Sequence, residues 1–213
     1  MKVVIFGATG IVGSAVTEES LSRGYDVTVF TRDASHVKIQ NKNLHVVTGS
    51  VLDERAVLNA VKGKDAVINT LGIGGRGNGK PTTFVSRVSR LIMEQMDRAQ
   101  VKRYIVMSAI GAGDSWNYLP WIYRHFLLPV FQSWFVPIIA DKNTIEADVK
   151  KSDLDWTIVR PTTVKPGESK GNIVATTTGK GIHFTIRATD LARFIVNQLS
   201  DNSFLKQTPT VSN

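Results

Sequence analysis

The sequence predicts an α/β fold built on a doubly wound, mostly parallel sheet with helices on both faces. Three observations predict it. Short runs rich in β-branched residues alternate with helix-length segments, the first run passes through a glycine-rich turn into the first helix, and 213 residues are enough for one buried core but not for two. Together they predict a single-domain Rossmann fold over residues 1–213.

The elements follow in chain order. The first strand, Lys2–Phe6, is almost wholly apolar, as a strand covered on both faces requires. A helix over Ile11–Ser22 ends at Arg23-Gly24, where glycine can take the left-handed conformation that closes a helix. Further strands are predicted at Asp26–Thr31, His45–Thr48, Ala66–Leu71, Arg103–Ser108 and Asp155–Arg160, and further helices at 53–62, 82–100, 141–151 and Thr189–Leu199. Thr189-Asp190 is the predicted cap of the last helix, and the polar tail Asp201–Asn213 is expected to be loosely held.

Two segments break this alternation. Residues 72–81 contain five glycines and are predicted to be mobile. Residues 116–135 carry eight aromatic side chains, lie within an insertion at about 114–139, and contain prolines that are expected to break any continuous helix. Three interpretations of this aromatic segment are open: a hydrophobic lid or a surface for self-association or partner docking, the wall of a pocket for a planar aromatic molecule, or a peripheral membrane contact.

Composition limits the chemistry. The chain has no cysteine, which excludes disulfides and thiolate nucleophiles, and its histidines show no ligand-like spacing, so no metal site is expected. The first residues hold no apolar run long enough for a signal peptide or a membrane span, which predicts cytoplasmic residence. The net charge of +8 indicates an anionic ligand, but the charge is dispersed, so an anionic small molecule is favoured over nucleic acid.

The turn Gly7-Ala8-Thr9-Gly10-Ile11-Val12-Gly13 follows a strand and opens a helix, the context in which this glycine spacing binds a dinucleotide. Gly7 permits the tight turn, Gly10 lets the backbone approach a pyrophosphate, and Gly13 allows the helix to pack closely on the sheet. The second strand ends in Thr31-Arg32-Asp33, near the 2′ position of the adenine ribose. A hydroxyl and a guanidinium there favour NADP(H), provided that Asp33 does not neutralise Arg32.

Three further segments complete a family pattern: Val106-Met107-Ser108, Asp141-Lys142 and the run Ser152–Pro161. With the glycine turn and Thr31-Arg32-Asp33 they resemble the atypical short-chain dehydrogenase/reductase family, and within it the NAD(P)H-binding proteins related to biliverdin reductase B (flavin reductase) and the NmrA-like proteins. The resemblance extends from Met1 to about Leu199.

The resemblance implies a set of cofactor contacts. Those to the pyrophosphate would come from Gly7, Thr9, Gly10, Ile11 and Gly13, and those to the 2′-phosphate from Thr31 and Arg32. The adenine would lie near Ser50 and Val51, where relatives usually have an acidic residue in place of the serine. The remaining contacts would come from Thr70, Leu71, Gly72, Ser108, Lys142, Pro161 and Thr162.

The same resemblance implies Ser108 and Lys142 as catalytic residues. Ser108 matches the family's active-site serine, and Lys142 matches the lysine of a Tyr-x-x-x-Lys pair whose tyrosine position holds Ile138. Without that phenol the usual carbonyl reduction is disfavoured, whereas a flavin or quinone can delocalise the added charge and take a proton from water. Thr162 stands where the biliverdin-reducing relative has a histidine, which argues against biliverdin as the substrate.

We therefore expect an NADPH-dependent oxidoreductase that transfers hydride to a planar acceptor such as a flavin or quinone. The alternative is an NmrA-like regulator that binds NADP(H) without turnover and docks a partner protein through residues 116–135. A third possibility, a dinucleotide-binding protein associated with nucleic acid, is supported only by the net charge. Arg76 and Lys80 are candidates to clamp an acidic substrate, and Glu146 is expected to pair with Lys142 at i,i+4 spacing as helix support.

Overall fold

A computed structural model describes residues 1–73, 80–119 and 128–213, without the side chains of 128–135. Its strands are β1 (Lys2–Phe6), β2 (Asp26–Thr31), β3 (Leu44–Thr48), β4 (Ala66–Asn69), β5 (Arg103–Met107), β6 (Asp155–Pro161), β7 (Thr163–Lys165), β8 (Val174–Thr176), β9 (Thr185–Arg187) and β10 (Thr210–Ser212). Its helices are α1 (Ile11–Ser22), α2 (Glu54–Val61), α3 (Phe84–Arg98), α4 (Leu128–Lys150) and α5 (Ala188–Asn197), and short 3-10 helices span Ala34–His36 and Gly113–Tyr118.

Eight of these strands form one sheet in the order β3-β2-β1-β4-β5-β6-β10-β8. Parallel pairing runs from β3 through to β10, and among the described strands of this sheet only the β10–β8 pair is antiparallel. The order reverses between β1 and β4, and ligands of such sheets bind at the carboxyl ends of the strands beside the reversal. The predicted doubly wound, mostly parallel Rossmann fold is confirmed.

Helices cover both faces of the sheet, and successive side chains of one strand pack into hydrophobic cores on opposite faces. Val3 and Ile5 of β1 pack in the core shared with α1 and α5, whereas Val4 and Phe6 pack in the core shared with α2, α3 and α4. Because both faces are buried, the central strands have no polar alternation.

The helix that carries Lys142 is longer than predicted. α4 begins at Leu128 and contains Pro137, so the expectation that prolines break any continuous helix was wrong for this stretch. A proline in a helix interior costs about 3 kcal/mol because it lacks an N–H donor. The turns that follow bury Ile139, Ile145 and Val149, and α4 packs along α3. This packing outweighs the local cost.

The polar tail belongs to the sheet, contrary to the prediction that it is loosely held. β10 lies between β6 and β8, and all three of its residues are buried. The backbone N–H of Asn213 donates to Thr185 O over 2.8 Å, and its side-chain amide donates to Asp190. Tertiary contacts hold this segment where its own composition gives no strand signal.

The start of α5 also differs from the prediction. The residue that precedes the helix is Arg187, so Thr189-Asp190 lies inside the first turn and does not cap it. The Asp190 carboxylate instead accepts hydrogen bonds from Lys170 N at 2.8 Å and from the hydroxyl of Ser169. Asp190 therefore holds the loop before β8 and not the helix end.

Parts of the two irregular segments lie outside the described residues. These parts are residues 74–79, which include Arg76, and residues 120–127. The three interpretations of the aromatic segment depend largely on residues 120–127 and on the side chains of 128–135, which lie outside the description. Lys80 is exposed. Within the described ranges, no helix is long and apolar enough to cross a membrane, and no group of three acidic or histidine side chains could hold a metal ion.

Candidate cofactor site

The turn between β1 and α1 has the geometry that its glycines predict. Gly7 has φ +85°, and a Cβ there would lie 2.9 Å from Thr70 Oγ1. A Cβ on Gly13 would lie 2.1 Å from Gly7 O, so α1 approaches the turn too closely for any side chain. A Cβ on Gly10 would meet nothing nearer than Gly7 O at 3.5 Å. Gly7 and Gly13 are therefore required by the fold itself, whereas Gly10 leaves room on the side where a pyrophosphate would approach.

The first turn of α1 offers amide donors to an anion. Gly10 precedes the helix, has no side chain to cap it, and the first turn holds no acidic residue. Within the described ranges, no acceptor faces the backbone N–H of Ile11, Val12 or Gly13. Thr9 and Ile11 are exposed beside them. These donors and the positive end of the helix fit the pyrophosphate of a dinucleotide.

At the end of β2, the guanidinium of Arg32 is available to an anion. Asp33 does not neutralise it: the Asp33 carboxylate accepts a hydrogen bond from Ser35 N over 2.8 Å, and the hydrogen bonds from Ser35 lower the pKa of Asp33. Arg32 is exposed and pairs with no side chain in the described part of the chain. The hydroxyl of Thr31 is buried and donates to Asp33 O over 3.0 Å, so it shapes the turn that presents Arg32.

Ser50 and Val51 lie next to this strand end. Gly49 N donates to Thr31 O over 2.9 Å and so ties the end of β3 to the end of β2. The hydroxyl of Ser50 accepts from Leu52 N at 3.2 Å, and Val51 is buried. The predicted adenine and 2′-phosphate contacts are thus neighbours in the structure.

Thr70, Leu71 and Gly72 follow β4 at the same edge of the sheet. The Thr70 hydroxyl is buried and donates to Phe6 O over 2.9 Å, which fixes it against the glycine turn. Leu71 is half-buried and Gly72 is exposed. The carbonyl of Leu71 accepts a hydrogen bond from Lys142 Nζ at 3.2 Å. The chain therefore brings the β4 end, the glycine turn and Lys142 together.

Lys142 keeps its ammonium group away from solvent. Its Nζ also donates to Met107 O over 2.8 Å, and the residue is 6% exposed. Burial lowers the pKa of Lys142 to about 8, although the charges of Asp141 and Glu146 act to raise it. An ammonium has three protons, and two are used by these carbonyls. One proton has no acceptor in the described part of the chain.

Ser108 faces a buried cluster of charges. Its hydroxyl donates to Glu146 Oε1 over 2.8 Å, and the two oxygens of Glu146 accept from Arg160 Nε at 2.8 Å and Nη2 at 2.6 Å. Arg160 also donates to Asp114 at 2.8 Å and is 0% exposed. A carboxylate only accepts hydrogen bonds, so the hydroxyl proton of Ser108 must point to Glu146. The lone pairs of the Ser108 hydroxyl oxygen remain able to accept a hydrogen bond.

Three residues of this cluster correct or extend the sequence prediction. Glu146 bonds to Ser108 and Arg160 and not to Lys142, so its expected role as an i,i+4 partner of Lys142 was wrong. Arg160 and Asp114 were not identified as site residues at all. An arginine inside an otherwise apolar strand is itself a signal, because a buried guanidinium requires a carboxylate partner.

Pro161 ends β6 and Thr162 follows it, beside the loop that follows Ser108. The N–H of Ile110 donates to Pro161 O over 3.0 Å, and Thr162 N donates to Val211 O over 3.1 Å. Both side chains are buried. They lie near Ser108, with the backbone of Thr162 fixed by β10.

An apolar cavity of about 440 Å³ lies between the 3-10 helix of Gly113–Tyr118 and α4. The N–H of Gly113 donates to Asn143 Oδ1 over 2.7 Å and joins the two walls. A Cβ on Gly113 would lie 2.5 Å from Arg160 Nη2, so the cavity borders the charged cluster. The lining residues are Gly111, Gly113, Trp116, Asn117, Val136, Ile139, Ala140 and Asn143.

Comparison with known proteins identifies the family. A sequence model described as NAD(P)H-binding matches residues 7–202, which is most of the chain. The chain belongs to this NAD(P)H-binding family. The resemblance inferred from the glycine turn and the other sequence segments is thereby confirmed at the level of the NAD(P)H-binding family.

One curated relative and two solved structures are similar to this NAD(P)H-binding protein over its whole length. It is 25% identical over 235 residues to UPF0659 protein YMR090W of Saccharomyces cerevisiae, covering 100% of this chain and 93% of the relative. Its fold is similar to that of ChuY, an anaerobillin reductase from Escherichia coli O157:H7, with a TM-score of 0.80, 22% identity, and 100% and 97% of the two chains covered. It is also similar to a short-chain dehydrogenase/reductase from Veillonella parvula in complex with NADP, with a TM-score of 0.79, 16% identity, and 100% and 94% covered.

Proposed function

We infer that this protein is an NADPH-dependent reductase that transfers hydride to a planar acceptor such as a flavin or quinone. The observation that carries this proposal is the pair formed by Ser108 and Glu146 together with the apolar residue at position 138. Ser108 directs its proton to Glu146 over 2.8 Å, and Ile138 cannot donate a proton. An acceptor that does not depend on a side-chain acid therefore suits this site best.

The cofactor would be held by residues at the carboxyl edge of the sheet. The amides at the start of α1 would bind the pyrophosphate, and Arg32 would bind the 2′-phosphate. Lys142 would donate its third proton to a ribose hydroxyl, and the lone pairs of Ser108 would orient the carboxamide of the nicotinamide. When bound, NADPH would supply the hydride, and the acceptor would take up this hydride and a proton from water, which would leave hydroxide in the solvent.

The acceptor would bind in the cavity between the 3-10 helix and α4. Trp116 and Ile139 provide flat and apolar walls, and Asn117 and Asn143 provide polar edges. A cavity of about 440 Å³ is within the size range of small-molecule sites. ChuY is described as an anaerobillin reductase, so anaerobillin is tested beside FMN, riboflavin and small quinones.

The first prediction concerns Arg32. Replacing it with alanine, Arg32→Ala, should raise the KM for NADPH by about 10- to 100-fold, the effect of losing a charge-assisted contact to a phosphate. Neither the kcat at saturating NADPH nor the KM for NADH should change. NADPH oxidation is followed by absorbance with each acceptor in turn.

Lys62→Ala is the matched control, because Lys62 is an exposed cation that follows α2 at the opposite edge of the sheet. It should leave both KM values unchanged. An equal loss in the two variants would mean that net charge, and not the 2′-phosphate contact, attracts the cofactor. Tight NADPH binding without consumption of any acceptor would instead favour the non-catalytic regulator.

A further inference from the structure

The start of α3 is capped by a residue of another helix. Val85 N donates to Asp141 Oδ2 over 3.0 Å and Ser86 N donates to Asp141 Oδ1 over 3.1 Å. The residue that precedes α3, Thr83, makes no side-chain cap. Asp141 is 4% exposed. A buried carboxylate from α4 therefore satisfies the amides that a helix usually caps from its own sequence.

The next residue of α4 holds the other end of the same connection. Lys142 Nζ donates to Leu71 O, two residues after β4, while Asp141 holds Val85 and Ser86 at the beginning of α3. Two adjacent residues of one helix thus fix both ends of the connection from β4 to α3. A shift of α3 along α4 would break the hydrogen bonds to Asp141 and pull on the chain segment whose other end Lys142 holds.

We propose that Asp141 is a positioning residue for the cofactor, which fixes α3 against α4 so that Lys142 and the Leu71 carbonyl stay in place beside the ribose. This inference rests on the proposed NADPH site. It assigns no contact between Asp141 and the cofactor, because the carboxylate is buried and faces the amides of α3.

A second contact between the same two helices provides a control that distinguishes a positioning role of Asp141 from a general effect on stability. Arg90 of α3 donates to Asp148 of α4 over 2.7 Å, in a half-exposed pair about two turns after Asp141. It joins α3 to α4 without touching the connection from β4. Asp148 is therefore a matched control for Asp141, with the same side chain on the same helix.

The experiment measures NADPH binding by titration calorimetry for the wild type, Asp141→Asn and Asp148→Asn. The asparagine at 141 keeps one oxygen acceptor but turns an NH₂ group toward the second amide of α3. We expect the Kd for NADPH to rise about tenfold in Asp141→Asn, as for the loss of one charge-assisted hydrogen bond, and by less than about twofold in Asp148→Asn. With any acceptor that turns over, the KM for NADPH should follow the Kd while kcat is retained.

A further variant tests whether the weaker NADPH binding of Asp141→Asn comes only from lower stability. The double variant Thr83→Asn/Asp141→Asn gives α3 a cap from its own sequence without restoring the link to α4. It should recover the melting temperature but keep the weaker NADPH binding. Recovery of binding together with stability would overturn the inference, as would equal Kd values for the two single variants. A wild-type protein that binds no NADPH would overturn the proposed function as well.

Discussion

Lys142 is held in a charged form in a place that solvent scarcely reaches. Two backbone carbonyls and two nearby carboxylates act against the cost of its burial, and the pKa nevertheless falls to about 8 from the usual 10.5. Such a group lowers the stability of the folded chain at neutral pH because the unfolded chain binds the proton more strongly. The proposed contact with a ribose hydroxyl would be the physical reason to keep a lysine there.

This cost gives a prediction for Lys142→Met. Near pH 7 the wild type bears almost the full cost of the buried charge, and this cost falls as the pH rises above 8, because the folded chain releases the proton before the unfolded chain does. The stability of the wild type relative to Lys142→Met should therefore rise by about 2 to 3 kcal/mol between pH 7 and pH 10. Urea unfolding at pH 7, 8, 9 and 10 measures it. A difference that stays constant would contradict the lowered pKa.

Individual residues differed in how well they could be predicted. The glycines of the first turn and Arg32 are recognisable from their sequence neighbours, because their roles depend on the strand end that precedes them. Glu146 was misread: the i,i+4 spacing pointed to Lys142, whereas the shortest ion pair of Glu146 is with Arg160, which lies on β6 and is fully buried. No local pattern specifies which carboxylate meets which guanidinium across the core.

In the unit formed by β1, the glycine turn and α1, we expect Gly10 to matter for NADPH binding and Gly13 for the stability of the fold. The Cβ of Gly10→Ala would have 3.5 Å to its nearest neighbour, so stability should change by no more than about 1 kcal/mol while NADPH binding weakens at least about tenfold. In Gly13→Ala the Cβ would lie 2.1 Å from a backbone oxygen. This overlap should cost about 2 to 3 kcal/mol of stability.

Thermal unfolding and NADPH calorimetry on both variants test the distinction. The Gly10→Ala variant should melt near the wild-type temperature, and the Gly13→Ala variant several degrees lower. Similar NADPH affinity in Gly10→Ala and the wild type would mean that the cofactor backbone does not approach this turn.

Among the elements, those of the first half were predicted within a few residues, because the strands buried on both faces have long apolar runs and the helices have clear ends. The three-residue strands β7, β8, β9 and β10 carry no periodicity that could identify them. The length of α4 was missed because Pro137 is a strong local signal and the packing that overrides it is tertiary.

At the scale of the whole molecule, we expect the stability of the fold to depend on β10, close to residue 213. Val211 of β10 is 0% exposed, lies in the core shared with α1 and α5, and joins β6 to β8. Val211→Ala should lower stability by about 2 kcal/mol and the Tm by about 4 to 8 °C. The matched control is Val46→Ala on the edge strand β3, where valine is 41% exposed and the loss should be below about 1 kcal/mol.

Thermal denaturation followed by circular dichroism compares the two valine variants. Equal losses of Tm at positions 46 and 211 would mean that β10 is no more important to the sheet than its exposed edge.

The sheet order also sets a sequence of events during synthesis. β8 pairs in the sheet with β10, which follows it by more than thirty residues, and β10 alone connects β8 to β6. Since a ribosome releases roughly 5 to 20 residues per second, β8 waits on the order of seconds for its partner. During that interval the side of β6 that β10 later occupies is open. Until β10 arrives, the backbone N–H and C=O groups on that side of β6 have no strand partner, and an unpaired strand edge is open to mispairing.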